Sequence, residues 1–190
     1  MIGVPKLDPE RPIATGGQVA VMLGSNIEPE RNLPAAVKAL DQLGRVVATS
    51  SVWQTAPIGD TQQADFCNAA VLLETVLEPA ELLRRLRDIE LDLGRVRNPG
   101  NKNAARTIDL DLSVIAGPPC VIAGKLFPDP DIAERVFLAV PLQEVLPDFQ
   151  LPDGRKIGDV AGALRERDTA KLGLELRADI ELTTIGADRS

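Results

Sequence analysis

Residues 106–112 read Arg106-Thr107-Ile108-Asp109-Leu110-Asp111-Leu112, in which aliphatic and acidic side chains alternate. This alternation predicts a β-strand, because successive side chains of a strand point to opposite faces of the sheet. The three aliphatic side chains are therefore predicted to enter the core. Asp109 and Asp111 would project together from the other face, about 7 Å apart along the strand.

The acidic face of this strand has two interpretations. Two carboxylates this close repel each other unless a positive charge lies between them. Mg²⁺ binds carboxylate oxygens and leaves room for phosphate oxygens. Arg95, Arg97 and Arg106 lie nearby in sequence, and guanidinium groups bind phosphate. The strand thus indicates either a metal and phosphate site or the solvated face of a half-buried strand.

The composition restricts the chemistry, because the 190-residue sequence contains no histidine. This excludes Ser-His-Asp and Cys-His catalysis, HExxH zinc sites and a histidine general base. Phosphoryl-type transfer depends more on positioning and charge neutralisation than on a strong base. It is therefore compatible with the composition.

Length and charge predict one soluble domain with small-molecule partners. The chain has 44% hydrophobic residues, enough for one sizeable core. Its net charge of -7 and its few aromatic residues argue against a nucleic-acid or anionic-membrane surface. Cys67 and Cys120 are predicted to be reduced, buried residues. No secretory signal and no apolar run of about 18 residues is visible, which predicts a cytoplasmic location.

The hydrophobic pattern predicts the order β-α-β-β-α-β, which is typical of an α+β, ferredoxin-like fold with a largely antiparallel sheet and helices on one face. The predicted strands cover residues 18–23, 45–53, 66–75 and 106–115, and the predicted helices cover 32–43 and 79–93. Downstream, the pattern predicts a proline-rich loop over 126–131, helical turns over 135–140 and 142–145, and a short helix over 157–164.

The predicted domain boundaries lie near the two ends of the sequence. Residues 1–17 are predicted to be a flexible leader, and residues 18–164 the domain. Residues 165–190 are predicted to be a C-terminal extension with an added strand or hairpin. An unpaired strand edge can pair with another chain, so a homodimer is also considered.

Two polar residues interrupt apolar patterns, and each has two interpretations. Asn68 lies in the third strand and either ties down the adjoining loop or recognises the polar edge of a ligand. Glu90 lies on the apolar side of the second helix and is either a partner for an arginine or a recognition residue. Residues 95–105, rich in Gly, Asn, Pro and Lys, are predicted to form a mobile loop.

Several segments together resemble the 6-hydroxymethyl-7,8-dihydropterin pyrophosphokinase family of folate biosynthesis. They are Leu23-Gly24-Ser25-Asn26, Thr55-Ala56-Pro57-Ile58-Gly59, Asp65-Phe66-Cys67-Asn68-Ala69, residues 89–97, residues 106–111 and Arg135-Val136-Phe137. The resemblance covers about residues 18–160, in the family's order and at close to its spacing.

The resemblance implies transfer of pyrophosphate from ATP, the co-substrate, to the hydroxymethyl group of the pterin, with release of AMP. It implies that Asp109 and Asp111 bind two Mg²⁺ ions and that Arg95 and Arg106 are catalytic groups closing on the phosphates. The implied pterin-binding residues are Thr55, Pro57, Ile58, Phe66, Asn68 and Phe137. The implied nucleotide-binding residues are Glu90, Arg97, Thr107, Ile108 and Arg135.

The sequence departs from the family pattern at two places. Asp129 replaces a histidine that contacts ATP phosphate, and residues 101–105 lack the usual tryptophan. An aspartate near a triphosphate repels it unless an added cation or a shifted loop compensates. Two alternatives therefore stay open. One is a divergent paralogue that binds a pterin-like ligand or a partner with weak or no catalysis, and the other is another two-carboxylate metal enzyme, such as a nucleotidyl transferase or cyclase.

Overall fold

The computed structural model describes residues 17–57, 62–97, 100 and 104–183. The elements are β1 (Gly17–Ser25), α1 (Pro29–Leu40), β2 (Arg45–Thr49), β3 (Trp53–Thr55), β4 (Phe66–Thr75), α2 (Pro79–Asp92), β5 (Asp109–Ile115), β6 (Cys120–Ile122), β7 (Lys125–Phe127), a 3₁₀ helix (Pro130–Ala133), α3 (Val136–Val145), α4 (Ile157–Leu172) and β8 (Glu175–Leu176). The predicted leader falls almost entirely outside the described residues.

The main sheet has the order β5-β1-β4-β3-β8, and β2 also pairs with β4. All of these described pairings are antiparallel. The predicted α+β, ferredoxin-like arrangement is therefore confirmed. Strand β5 pairs with β1 on one side, and β2 and β3 pair with β4 on the other.

The predicted strand over 45–53 is divided into β2 and β3 by an irregularity at Ser50. The Ser50 amide donates to the Ala70 carbonyl at 2.9 Å, and the Ala70 amide donates to Ser50 Oγ at 2.8 Å. A side-chain oxygen thus replaces one ladder acceptor, which lets both halves pair with β4.

Helices cover both faces of the sheet. Helices α1 and α2 pack on the face that carries Val21, Val71 and Leu112. Helices α3 and α4 pack on the opposite face, against Ala20 and Ala70. The expectation of helices on one face holds for the βαββαβ core alone, because the C-terminal half supplies a second helical layer.

Helix α2 lies within one residue of its predicted end, and it begins with Pro79, whose fixed φ suits a first helical position. Helix α1 begins and ends three residues earlier than predicted, also on a proline, Pro29. Gly44 therefore serves another purpose than ending the helix: a Cβ there would lie 2.3 Å from the Glu74 carbonyl oxygen, so only glycine permits this approach to β4.

The region after β5 differs most from its prediction. The predicted loop over 126–131 begins inside β7, which pairs with β6 in a hairpin whose turn residues, Ala123 and Gly124, both have positive φ. The two predicted helical turns form one helix, α3, despite the internal Pro141. Helix α4 continues past residue 164 to Leu172, and the predicted C-terminal strand is the two-residue β8.

The cysteine prediction is confirmed in part. Cys67 is buried and Cys120 is half-buried, and both are free thiols. Across the part of the chain that the structure describes, every helix is too short or too polar to span a bilayer.

Candidate active site

A row of residues crosses the three neighbouring strands β5, β1 and β4 at one end of the sheet. Gly24 on β1 lies opposite Asp109 on β5 and opposite Asn68 on β4. Beside this row is a cavity of about 160 Å³. It is lined by Gly24, Thr55, Ala56, Phe66, Asn68, Arg106, Asp109 and Phe137.

Gly24 contributes bare backbone to the wall of the cavity. A Cβ at this position would lie 3.4 Å from Asn68 Oδ1 and 3.7 Å from Asp109 Cβ. The two polar side chains therefore face each other across a strip of bare backbone, which a flat ligand can approach closely.

Asn68 is one of the polar residues in the cavity wall, and its side chain also ties down a neighbouring strand. Its Nδ2 donates to Thr55 Oγ1 at 3.3 Å and to the Phe66 carbonyl at 3.4 Å, which ties the end of β3 to β4. Its Oδ1 lies over Gly24 and faces the cavity. An acceptor on a mostly apolar wall is suited to orient a ligand that carries donors.

Asp109 stands between two arginines at the rim of this cavity. Arg106 Nη1 lies 2.6 Å from Asp109 Oδ2, and Arg95 contacts Asp109 Oδ1. Burial alone would raise the pKa of Asp109, but the two guanidinium groups outweigh it and hold the pKa below its usual value. Arg106 also lies over the Phe66 ring, 5.6 Å from its centroid, so it joins the carboxylate to the aromatic wall.

Glu90 is a buried carboxylate that pairs with Arg95 and Arg97. Its side chain is only 3% exposed and accepts a hydrogen bond from the Leu110 amide at 2.9 Å. It also pairs with Arg97 at 2.7 Å and with Arg95. Burial raises the pKa of Glu90, while the Leu110 amide and the guanidinium groups lower it, and burial prevails. Of the two interpretations of Glu90, the structure supports the partner for arginine.

Asp111 differs from Asp109 in exposure and in its partner. Its side chain is 60% exposed and lies 2.9 Å from Lys125 Nζ on the β6–β7 hairpin. The same ammonium group lies 3.4 Å from Asp129 Oδ2. Burial would lower the pKa of Lys125, but Asp111 and Asp129 raise it overall. Lys125 therefore places one positive charge between the carboxylates of Asp111 and Asp129.

The donor set of Asp109 and Asp111 fits Mg²⁺. Both side chains are on the same face of β5, and each forms an ion pair with a cationic side chain. A cation next to either carboxylate is therefore electrostatically favourable. Within the described ranges, no group of three or more acidic, cysteine or histidine side chains could hold a metal. Mg²⁺ is commonly held by one or two carboxylates with water and substrate phosphates completing its shell.

The side chains of three predicted nucleotide-binding residues, Thr107, Ile108 and Arg135, are either buried or already paired within the protein. Ile108 is fully buried, and Thr107 Oγ1 is buried with no hydrogen-bond partner in the described part of the chain. Arg135 pairs with Asp131 at 2.7 Å and lies over the Phe137 ring, 5.9 Å from its centroid.

Two of the predicted pterin-binding residues are not among those that line the cavity. Pro57 is outside the set of lining residues, and Ile58 lies outside the described residues.

Asn26 has a structural role that the sequence reasoning missed. Its Oδ1 accepts from the Arg106 amide at 2.8 Å, and its Nδ2 donates to Gln63 Oε1 at 3.0 Å and to the Ala64 carbonyl at 3.1 Å. One amide side chain thus joins the segments before β4 and before β5. Asn26 could have been found from the sequence, because it belongs to the Leu23-Gly24-Ser25-Asn26 segment that carries the family resemblance. Lys125 had no signal, because the sequence analysis predicted no element over residues 120–125.

Comparison with known proteins assigns the chain to a family. The model of the 7,8-dihydro-6-hydroxymethylpterin-pyrophosphokinase family matches residues 20–147. The 2-amino-4-hydroxy-6-hydroxymethyldihydropteridine pyrophosphokinase of Pseudomonas aeruginosa is 36% identical over 149 residues, which cover 77% of this chain and 91% of the relative. The protein of the same name from Haemophilus influenzae is 35% identical over 155 residues, or 80% and 96% of the two chains.

Solved structures agree on the fold. A crystal structure of an HPPK-DHPS in complex with substrates has a TM-score of 0.60 and 13% identity, and the match covers 81% of this chain and 44% of that one. The Plasmodium falciparum HPPK-DHPS with pteroate has a TM-score of 0.61 and 11% identity, covering 82% and 44%. This chain therefore spans less than half of each of those chains. With the family match over residues 20–147 and the close bacterial relatives, it belongs to the 7,8-dihydro-6-hydroxymethylpterin-pyrophosphokinase family.

Proposed function

We propose that this protein transfers pyrophosphate from ATP to the hydroxymethyl group of 6-hydroxymethyl-7,8-dihydropterin and releases AMP, as a step of folate biosynthesis. The observation that supports this best is the position of Asp109, between Arg95 and Arg106 and at the rim of the cavity lined by Asn68. A phosphate-binding cluster and a cavity for a flat ligand thus adjoin. The enzyme is an ATP-dependent diphosphotransferase, consistent with the names of its relatives.

For the pterin end, we propose that the ring enters the cavity between Phe66 and Phe137. Aromatic faces favour offset stacking with such a ring. Asn68 Oδ1 would accept hydrogen bonds from the pterin's amide-like edge, while Thr55 holds the Asn68 amide in place. We propose that Pro57 and Ile58, which follow Thr55 closely in the sequence, also contribute to the pterin site.

For the phosphate end, we propose that Asp109 and Asp111 hold two Mg²⁺ ions together with the ATP phosphates. The metal supplies charge neutralisation on the transferring group and alignment of the attacking and leaving oxygens. A metal ion here would compete with existing ion pairs. Arg95 and Arg106 contact the two oxygens of Asp109, and Lys125 contacts Oδ1 of Asp111. The released arginines are then placed to bind phosphate oxygens.

In the reaction, the hydroxymethyl oxygen forms a bond to the β-phosphorus as the bond from that phosphorus to the α,β-bridging oxygen breaks. AMP leaves with the electron pair of that bond, and the hydroxyl proton passes to solvent. The chain's own contribution is positioning and electrostatic stabilisation, so the absence of histidine is no obstacle.

The remaining predicted nucleotide residues receive more specific proposals. We propose that Glu90 orients Arg95 and Arg97 rather than touching ATP, because its side chain is buried. Thr107 and Ile108 would contribute through the backbone, and Arg135 through its guanidinium group above Phe137. Residues 18–164 are proposed as the catalytic domain and 165–190 as an extension. We propose a cytoplasmic protein whose partners are small molecules, with no nucleic acid or membrane, and a homodimer as the assembly to test.

The alternatives gain no support. The paralogue hypothesis rested partly on Asp129, and Lys125 stands beside that carboxylate. Its other basis is the altered loop over 101–105, of which residues 101–103 lie outside the described residues. Another two-carboxylate enzyme would have no use for the cavity beside Asn68.

The function is tested by AMP formation from Mg-ATP and 6-hydroxymethyl-7,8-dihydropterin. We expect AMP that depends on both pterin and metal, with no ADP, because an intact pyrophosphoryl group is transferred. Reactions without pterin and without metal are the controls. ADP as the product, or AMP independent of pterin, would refute the proposed reaction. Absence of turnover with pterin still bound would favour the paralogue.

Replacing Gly24 with alanine is expected to weaken pterin binding about ten-fold, because the new methyl group would lie in the cavity between Asn68 and Asp109. Titration of pterin against the folded variant measures the effect. Gly17→Ala is the matched control in the same strand, because a Cβ there meets nothing within 4 Å. Equal pterin affinity for both variants would mean that the ligand binds elsewhere.

A further inference from the structure

The C-terminal segment, residues 173–183, lies beyond the part matched by the family model yet reaches the strand that leads into the cavity. Within it, β8 pairs antiparallel with β3: Leu176 lies opposite Trp53, and Glu175 opposite Gln54. Strand β3 has only three residues, and the next residue along the chain, Ala56, lines the cavity together with Thr55. Trp53 and Gln54 are therefore paired on both sides, by β4 and by β8, directly before Thr55, which is paired with β4.

Arg177 makes the side-chain contacts of this segment with the sheet. Its backbone amide donates to the Val52 carbonyl at 2.9 Å, which extends the pairing of β8 with β3. Its Nη1 donates to Gln54 Oε1 at 2.8 Å and lies 3.4 Å from Cys67 Sγ. Asp179 holds the other edge of the guanidinium group at 2.7 and 2.8 Å, which fixes its orientation.

Gln54 links Arg177 to Asp65, the residue before Phe66. Its Oε1 accepts a hydrogen bond from Arg177, and its Nε2 donates to Asp65 Oδ2 at 3.0 Å. The neighbours of these two residues, Thr55 and Phe66, lie opposite each other on β3 and β4 and line the cavity. Gln54 and Cys67 are paired in register, so the guanidinium group supports the sheet on the face opposite the cavity.

The rest of the segment is anchored independently of Arg177. Ile180 is buried in the main core, and the Leu182 carbonyl accepts from Thr49 Oγ1 at 2.9 Å. These contacts keep the segment against the sheet when the guanidinium group is removed. A substitution at Arg177 therefore tests one contact rather than the whole segment.

From these contacts we propose that Arg177 is a positioning residue for pterin binding, which acts through Gln54 and Asp65 to hold the Thr55 and Phe66 walls of the cavity at their spacing. This inference rests on the proposed function. It assigns to the C-terminal segment a role in affinity for the pterin and none in binding of ATP. A polar chain of this kind is cooperative, so each member depends on the others for its position.

Arg177→Met is expected to raise the KM for pterin about ten-fold, as loss of one hydrogen bond to a charged group does, with the KM for ATP unchanged. Gln54→Met is expected to act similarly, and the double variant to be no worse than either single one, because the two residues belong to one chain. Arg177→Lys, which keeps one donor, is expected to restore part of the affinity.

Arg155→Met is the matched control, since Arg155 also pairs with an aspartate two residues away, Asp153 at 2.6 Å, but lies on a turn outside the cavity. Hydrogen exchange at the backbone amides of residues 53–56 in the ligand-free variants provides a readout independent of activity. Faster exchange in Arg177→Met than in Arg155→Met is expected.

Equal exchange in the two variants would overturn the inference even if the wild-type protein proved inactive, and so would an unchanged pterin KM in an active enzyme. Equal increases of the KM for both substrates would also overturn it, because they would indicate a general loss of structure. Failure of the proposed function is seen separately, as a wild-type protein that makes no AMP.

Discussion

Replacing Asp109 with asparagine is expected to lower kcat/KM by about a thousand-fold, because a metal ligand that neutralises transition-state charge is worth several kcal/mol. Binding of Mg-ATP should be lost almost entirely, since the amide cannot replace an anionic ligand. Binding of pterin alone should change little, because the variant keeps the shape of the cavity rim. Steady-state kinetics and separate titrations of the two ligands measure these effects.

The matched control for this variant is Asp153→Asn, which removes an exposed aspartate that also pairs with an arginine. It should leave both affinities and kcat unchanged. Asp111→Asn should behave like Asp109→Asn toward Mg-ATP, although Asp111 is the more exposed of the two. Full turnover in either active-site variant would mean that the carboxylates have no metal role.

The same variant also tests the electrostatics of the metal-free protein. Because the pKa of Asp109 is lowered in the folded state, its ionised form contributes stability above the unfolded pKa of about 4. That contribution is lost as the pH falls through the lowered pKa. The wild type should therefore exceed Asp109→Asn in stability in chelator at neutral pH, and the difference should shrink toward acid pH. A difference that grew on acidification would contradict the assigned direction.

Replacing Glu90 with leucine is expected to destabilise the fold by about 3 kcal/mol, because it removes one partner from a buried ionic cluster. The Leu110 amide would lose its acceptor, and Arg95 would keep Asp109 as its remaining acidic contact. Chemical denaturation measures the free energy of unfolding. The variant should also lose about a hundred-fold in kcat/KM, since a misplaced guanidinium group costs that much.

Glu90→Gln separates the two effects of this substitution. The amide oxygen can still accept from the Leu110 amide, so stability should lie between those of the wild type and Glu90→Leu. Glu81→Gln is the control on the same helix, because Glu81 also pairs with two arginines but at the surface. It should leave unfolding and activity unchanged. A Glu90→Leu protein of wild-type stability would show that the cluster does not support the fold.

The sequence alone predicted those parts of the protein that depend on local patterns. Alternation predicted β5 with its acidic face, and strand β4 occurs at its predicted bounds of 66 and 75. Proline at a helix start located α2. The family resemblance brought together Thr55, Phe66, Asn68 and Phe137, which the structure places around one cavity. The strand and helix predictions follow from side-chain period and backbone geometry, which each segment carries in its own residues, whereas the grouping of the four cavity residues came from the resemblance alone.

The tertiary structure decided what depends on contacts between distant segments. The hairpin that brings Lys125 to Asp111 and Asp129 was not predicted, because its strands have three residues each, which is too short for a period to be recognised. The burial of Glu90 was visible as a position on an apolar helix side, but its three partners were not. The contact of Arg177 with Gln54 joins residues 123 positions apart. Such pairings depend on how the chain folds back on itself, and no local pattern of either segment contains them.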